Sequence, residues 1–155
     1  MRNIMIKYAV LTFCLVSILG HTAYAGSSLT LGSQSGSPMD TITVPVTLES
    51  DDQLSALSVD IAYNPRELEF ISVEIGPAAS SKNLVSNILN NGLVRIGFIS
   101  FDQMELDSGV VAFLTFSLNP EVEAQKIQVG LKASASNPDG KPVKINSHSG
   151  IVIVQ

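Results

Sequence analysis

One cysteine, two histidines and no tryptophan occur in 155 residues, and each scarcity closes off some chemistry. A lone cysteine cannot form an intramolecular disulfide. Cys14 and His21 both lie in the N-terminal 25 residues, which read as a removable leader. Beyond them there is no thiol nucleophile or thiol metal ligand, and His148 is the sole imidazole. One histidine builds neither a Ser-His-Asp triad nor a His-rich zinc site, so His148 reads as a surface side chain. Charged residues make up 15% of the chain and include no Lys/Arg cluster. Without Arg2 and Lys7, 7 basic residues face 14 acidic ones, a balance that argues against nucleic acid and anionic membrane surfaces as partners. Aromatics are also few: after the leader Tyr63 is the single tyrosine, which leaves little to stack on a sugar ring.

Positive features begin at the N-terminus. Met1 to Lys7 carries Arg2 and Lys7 without an acid, an apolar run follows from Tyr8 to Leu19, and Ala23-Tyr24-Ala25 places small residues where a signal peptidase reads. Residues 1–25 are therefore read as a signal peptide cut after Ala25, and residues 26–155 as one domain, exported to the periplasm or the extracellular medium without membrane insertion. The competing anchor reading is weaker, because a span needs ~20 apolar residues. Lipidation at Cys14 is also disfavoured, since Leu11-Thr12-Phe13 precedes it where small residues would be required. The remainder is long enough to bury a core by packing alone.

Short bursts of apolar/polar alternation, separated by turn residues, predict strands at Ser28 to Gln34, Thr41 to Glu49, Leu54 to Tyr63, Leu68 to Ile75, Leu84 to Leu89, Leu93 to Phe101, Val110 to Leu118, Ile127 to Ala133 and Gly150 to Gln155, with a weaker one at Lys141 to Ile145. Asn91-Gly92 predicts a tight hairpin, and Asn64 is placed to cap a short turn that Pro65 begins. Period-2 alternation puts Leu57, Val59, Ile61 and Tyr63 inward, with Val94, Ile96 and Phe98, and with Ala112, Leu114, Phe116 and Leu118. The outward set is then Ala56, Ser58, Asp60, Arg95, Gly97, Ile99, Val111 and Phe113. An outward apolar pair such as Val111 and Phe113 marks a contact surface.

Glycoside hydrolysis would need two carboxylates facing each other across a cleft, but the acids fall mainly in turns, such as Asp51-Asp52 and Glu121 to Glu123. Oxygen donors at Asn137, Asp139 and Asp102 to Asp107 lack EF-hand spacing, and turn chemistry accounts for Asn137 to Gly140. No catalytic residue, metal site or cofactor is expected.

Gly36-Ser-Pro-Met-Asp-Thr-Ile-Thr-Val-Pro-Val46, Tyr63-Asn-Pro-Arg-Glu-Leu-Glu-Phe70, Gly109-Val-Val-Ala-Phe-Leu-Thr-Phe116 and Ser149-Gly-Ile-Val-Ile-Val154, in that order, resemble the cohesin domain. The resemblance implies an all-β, nine-stranded jelly-roll sandwich, related in fold to certain carbohydrate-binding modules. It further implies a non-catalytic module that docks a dockerin-type protein in the context of polysaccharide degradation. The contact face implied lies on the strands at Leu54 to Tyr63, Leu84 to Leu89, Leu93 to Phe101 and Val110 to Leu118. The outward set falls on three of these. Met39 stands where the family usually has a turn glycine, and Ala56 and Ser58 stand where cellulosomal cohesins carry asparagine and aspartate. Direct polysaccharide binding, or a structural or adhesive role in an envelope assembly, are the alternative functions.

Overall fold

The computed structural model describes residues 26–100 and 104–155; the expected leader lies outside the described residues. The described chain forms β1 (Ser27–Leu31), β2 (Gln34–Gly36), β3 (Thr41–Glu49), β4 (Ala56–Ala62), β5 (Leu68–Ile75), β6 (Asn83–Asn90), β7 (Leu93–Ile99), β8 (Gly109–Leu118), β9 (Lys126–Ser136), β10 (Pro142–Val143), β11 (Ile145–His148) and β12 (Gly150–Val154). One sheet has the order β11-β1-β3-β8-β5, and the facing sheet has the order β2-β12-β9-β4-β7-β6, with β10 paired to β9. This is the expected all-β jelly-roll sandwich, with more strands than the nine expected.

Most of the extra strands arise where an expected strand changes sheet. The segment read as Ser28 to Gln34 divides at Gly32, whose amide donates to the Pro45 carbonyl at 2.8 Å. β1 then pairs with β3 and β11, while β2 crosses over to pair with β12. A side chain at Gly32 would meet the Pro45 ring at 2.9 Å, so the crossing needs a residue without a Cβ. The weaker expected strand, Lys141 to Ile145, divides similarly into β10, which pairs with β9, and the start of β11, which pairs with β1 in the other sheet.

The core is built from the inward halves of the alternating strands. Ile42, Val44, Val46 and Leu48 of β3 and Leu114, Phe116 and Leu118 of β8 meet Leu57, Val59 and Ile61 of β4 and Val94, Ile96 and Phe98 of β7, all of them buried. Each such side chain contributes roughly 1.5–3 kcal/mol by leaving water. Tyr63 and Phe70 each meet Phe116 in a T-shaped arrangement, with ring centroids 5.4 Å and 5.7 Å away.

The turns follow their expected chemistry. Asn64 Oδ1 accepts the Arg66 amide at 3.1 Å, and its carbonyl accepts those of Glu67 and Leu68, which closes one turn before β5. Gly92 takes φ 98° in the β6–β7 hairpin. A short 3-10 turn at Pro77–Ala79 was not expected; it buries Ala78 and Ala79 against the core. Among the described residues no helix is long and apolar enough to cross a membrane.

Candidate protein-docking face

The outer face of β9-β4-β7-β6 is a grid whose rows are fixed by pairing register. In an antiparallel pair, residues directly opposite point to the same side. Asn83, Ile99, Ala56 and Ser136 form one row, Val85, Gly97, Ser58 and Ser134 the next, and Asn87, Arg95, Asp60 and Lys132 the third. A fourth row holds Asn90, Leu93, Ala62 and Gly130. With strands ~4.8 Å apart and alternate residues ~6.7 Å apart, the grid spans about 14 Å by 20 Å, wider than one α-helix.

Six of the eight expected contact residues, Ala56, Ser58, Asp60, Arg95, Gly97 and Ile99, share this face. Its middle is level, because Ala56, Ser58, Gly97, Ser134 and Ser136 project little. Apolar side chains stand along one side, with Ile99 45% and Val85 53% exposed. The third row carries charge. Arg95 Nε and a terminal nitrogen donate to the two Asp60 carboxylate oxygens at 2.7 Å and 2.8 Å. That bidentate bond, together with the nearby charges of Arg95 and Lys132, holds the Asp60 carboxyl below its ordinary value against a smaller opposing desolvation. The same partner raises the Arg95 guanidinium further.

Gly97 is the telling position. A Cβ placed there would find only the Val85 carbonyl oxygen, at 4.0 Å, and the backbone is not in the left-handed region. Neither space nor conformation requires glycine, although glycine inside a strand costs about 0.5–1 kcal/mol relative to alanine. What glycine does provide is a level surface.

Val111 and Phe113 do not belong to this face. β8 lies in the opposite sheet, between β3 and β5. Phe113 is half-buried on that sheet's outer side, opposite Pro45 and Glu74. Val111 is fully buried at 0% exposure. The β3–β8 register slips here, with Val46 opposite Ala112 and Thr47 opposite Val110, so Val111 is the extra residue of a bulge. Strict alternation fails at a bulge, and Val111 turns inward beside Ala112. The strand that does complete the face is β9. Of its outward residues, Ser134 and Ser136 lie beyond the expected end at Ala133, although Lys132-Ala-Ser-Ala-Ser136 carries the alternation that extends the strand; Lys132 lies within the expected strand, but alternation alone does not say that this strand borders β4.

Among the described residues no group of three or more His, Cys, Asp or Glu is placed to hold a metal. The Asn137 to Gly140 turn closes on itself through the Asn137 carbonyl and side chain. His148 is exposed on β11.

A jelly-roll sandwich with a level, chemically mixed sheet face has the form of a β-sandwich recognition module. The family model described as the Cohesin domain matches residues 27–154, and the chain belongs to the cohesin domain family. It is similar to the sixth cohesin of scaffoldin B from Acetivibrio cellulolyticus, solved in complex with a Cel5 dockerin mutant, at 21% identity and a TM-score of 0.76, covering 84% of this chain and 99% of that one. The cohesin of the Coh-OlpC-Doc435 complex, a type I cohesin–dockerin complex from Clostridium thermocellum, shares 18% identity at a TM-score of 0.75, covering 86% and 96%. A non-cellulosomal cohesin from the hyperthermophilic archaeon Archaeoglobus fulgidus shares 18% identity at 0.74, covering 84% and 92%. No curated protein matches the chain.

Proposed function

We propose that the protein is an exported, non-catalytic docking module whose β9-β4-β7-β6 face binds a dockerin-type protein, in the setting of polysaccharide degradation. The observation that carries this reading is the structurally unneeded Gly97 at the middle of a level face, flanked by exposed Ile99 and Val85. A flat centre of small residues lets a partner's backbone approach closely, and an apolar border supplies desolvation energy. The solved cohesin–dockerin complexes supply the class of partner. Export rests on the charged start, the apolar run and Ala23-Tyr24-Ala25.

The test is calorimetric titration of the protein with a panel of dockerin modules, repeated with Gly97→Arg. Saturable one-to-one binding that Gly97→Arg abolishes, with the melting temperature preserved, supports the reading. Equal binding by both forms would place the contact elsewhere. Direct polysaccharide binding is less well supported, since none of the grid's outward positions among the described residues is aromatic.

A further inference from the structure

The charge on the docking face is opposite to that of the rest of the molecule. β9 also turns Lys126 to the same side of the sheet, about 13 Å beyond the Gly130 row, since it pairs with exposed Ile153 and precedes buried Ile127. The outward charges on these strands are then Arg95, Lys126 and Lys132 against Asp60. Among the described residues the other 12 acids all lie elsewhere, with only Arg66, Lys82, Lys141 and Lys144 to balance them, and Lys82 is buried. A chain of net charge −5 therefore presents its positive side at this face.

The one acid on the face is already satisfied. Both Asp60 oxygens accept from Arg95. Lys132 lies opposite Asp60 in register, exposed, and takes part in no ion pair with a described residue. Arg95 keeps N–H groups beyond the two it gives to Asp60, and its side chain is 53% exposed. Arg95 and Lys132 stand two strand spacings apart, about 10 Å, on either side of the neutralised carboxylate. Two outward cations at that spacing, beside a level patch of small residues bordered by exposed Ile99 and Val85, are complementary to a protein surface that carries carboxylates next to small or apolar side chains.

We propose that the partner docked on this face is an acidic protein surface, whose carboxylates meet Lys132 and Arg95 while its apolar side chains cover Gly97 and Ile99. This rests on the docking-face reading and adds the partner's charge. Such complementarity acts mainly on encounter rate and partner choice, and it is screened by salt.

The probe is a displayed library of one dockerin scaffold, with its exposed helix positions randomised equally among Asp, Glu, Lys, Arg, Ser and Leu, selected on this protein. The expected result is enrichment of Asp and Glu in clones that Gly97→Arg no longer captures. Their affinity should fall roughly tenfold between 50 mM and 500 mM salt and by a similar factor with Lys132→Glu. Selection on Lys126→Glu/Lys132→Glu should shift the enrichment to Lys and Arg. Clones sensitive to Gly97→Arg but unbiased in charge would overturn the acidic-partner proposal and leave the docking face standing. A library yielding no clone sensitive to Gly97→Arg would overturn both. Retardation of the protein by polygalacturonate, relieved by Lys132→Glu, would assign the cations to an anionic glycan instead and refute a protein partner.

Discussion

Replacing Gly97 with threonine should make the protein more stable and worse at docking. Gly97 lies inside β7 with its strand neighbours Val85 and Ser58 in register on either side. A Cβ added there reaches no atom closer than 4.0 Å. The substitution removes the entropic cost of an interior glycine, about 0.5–1 kcal/mol, and adds a β-branched side chain suited to a pleated surface. A gain of about 1 kcal/mol raises the melting temperature of a domain this size by roughly 3–5 °C. The same hydroxyl and methyl rise from the centre of the level patch, where a partner would have to retreat or leave a gap, so affinity should fall at least about tenfold. Scanning calorimetry and titration calorimetry on one preparation give both quantities. Lower stability with unchanged binding would mean that glycine serves the fold and not the face.

Other substitutions test separate parts of the account. Met39 is 75% exposed with φ 74°, a conformation that L side chains resist, so Met39→Gly should stabilise the turn by about 1 kcal/mol in chemical denaturation. Val111→Asp should cost about 3 kcal/mol or more, because it buries a charge in the bulge; a near-normal melting temperature would contradict the inward placement of Val111. Asp60 has its folded pKa below the ordinary 3.8, so its stabilising contribution is present above the unfolded value and is lost as pH falls through the folded one. The stability difference between the native protein and Asp60→Asn should therefore be constant near neutrality and shrink below about pH 4, as followed by urea denaturation across pH.

Alternation made the core legible. Leu57, Val59 and Ile61, Val94, Ile96 and Phe98, and Leu114, Phe116 and Leu118 are all buried as their spacing requires. β3 and β5 begin and end where their patterns do. The turn at Met39, read as a glycine position by family resemblance, has the positive φ that glycine would relieve. Two kinds of information were not in the pattern. A bulge inserts one residue without any change in composition, so Val111 read as outward although it is buried. The neighbours of a strand are set by which backbone groups pair across space, and β8 carries the same alternation it would carry in the other sheet. Phe113 for that reason reads like a companion of residues that lie on the far side of the sandwich, and nothing in the pattern of β9 assigns Lys132, Ser134 and Ser136 to the face they complete.

Docking on the β9-β4-β7-β6 face and docking on the β8 side would perturb different sets of residues. Chemical-shift mapping of the isotopically labelled protein, titrated with a dockerin module that binds it, distinguishes the two most directly. Perturbed amides are expected at Ser58, Arg95, Gly97, Ile99, Lys132 and Ser134, with Phe113 and its β3 and β5 neighbours unmoved and Phe113→Asp binding as well as the native chain. Shifts concentrated around Phe113 and Glu74, with the Gly97 row silent, would contradict docking on the β9-β4-β7-β6 face.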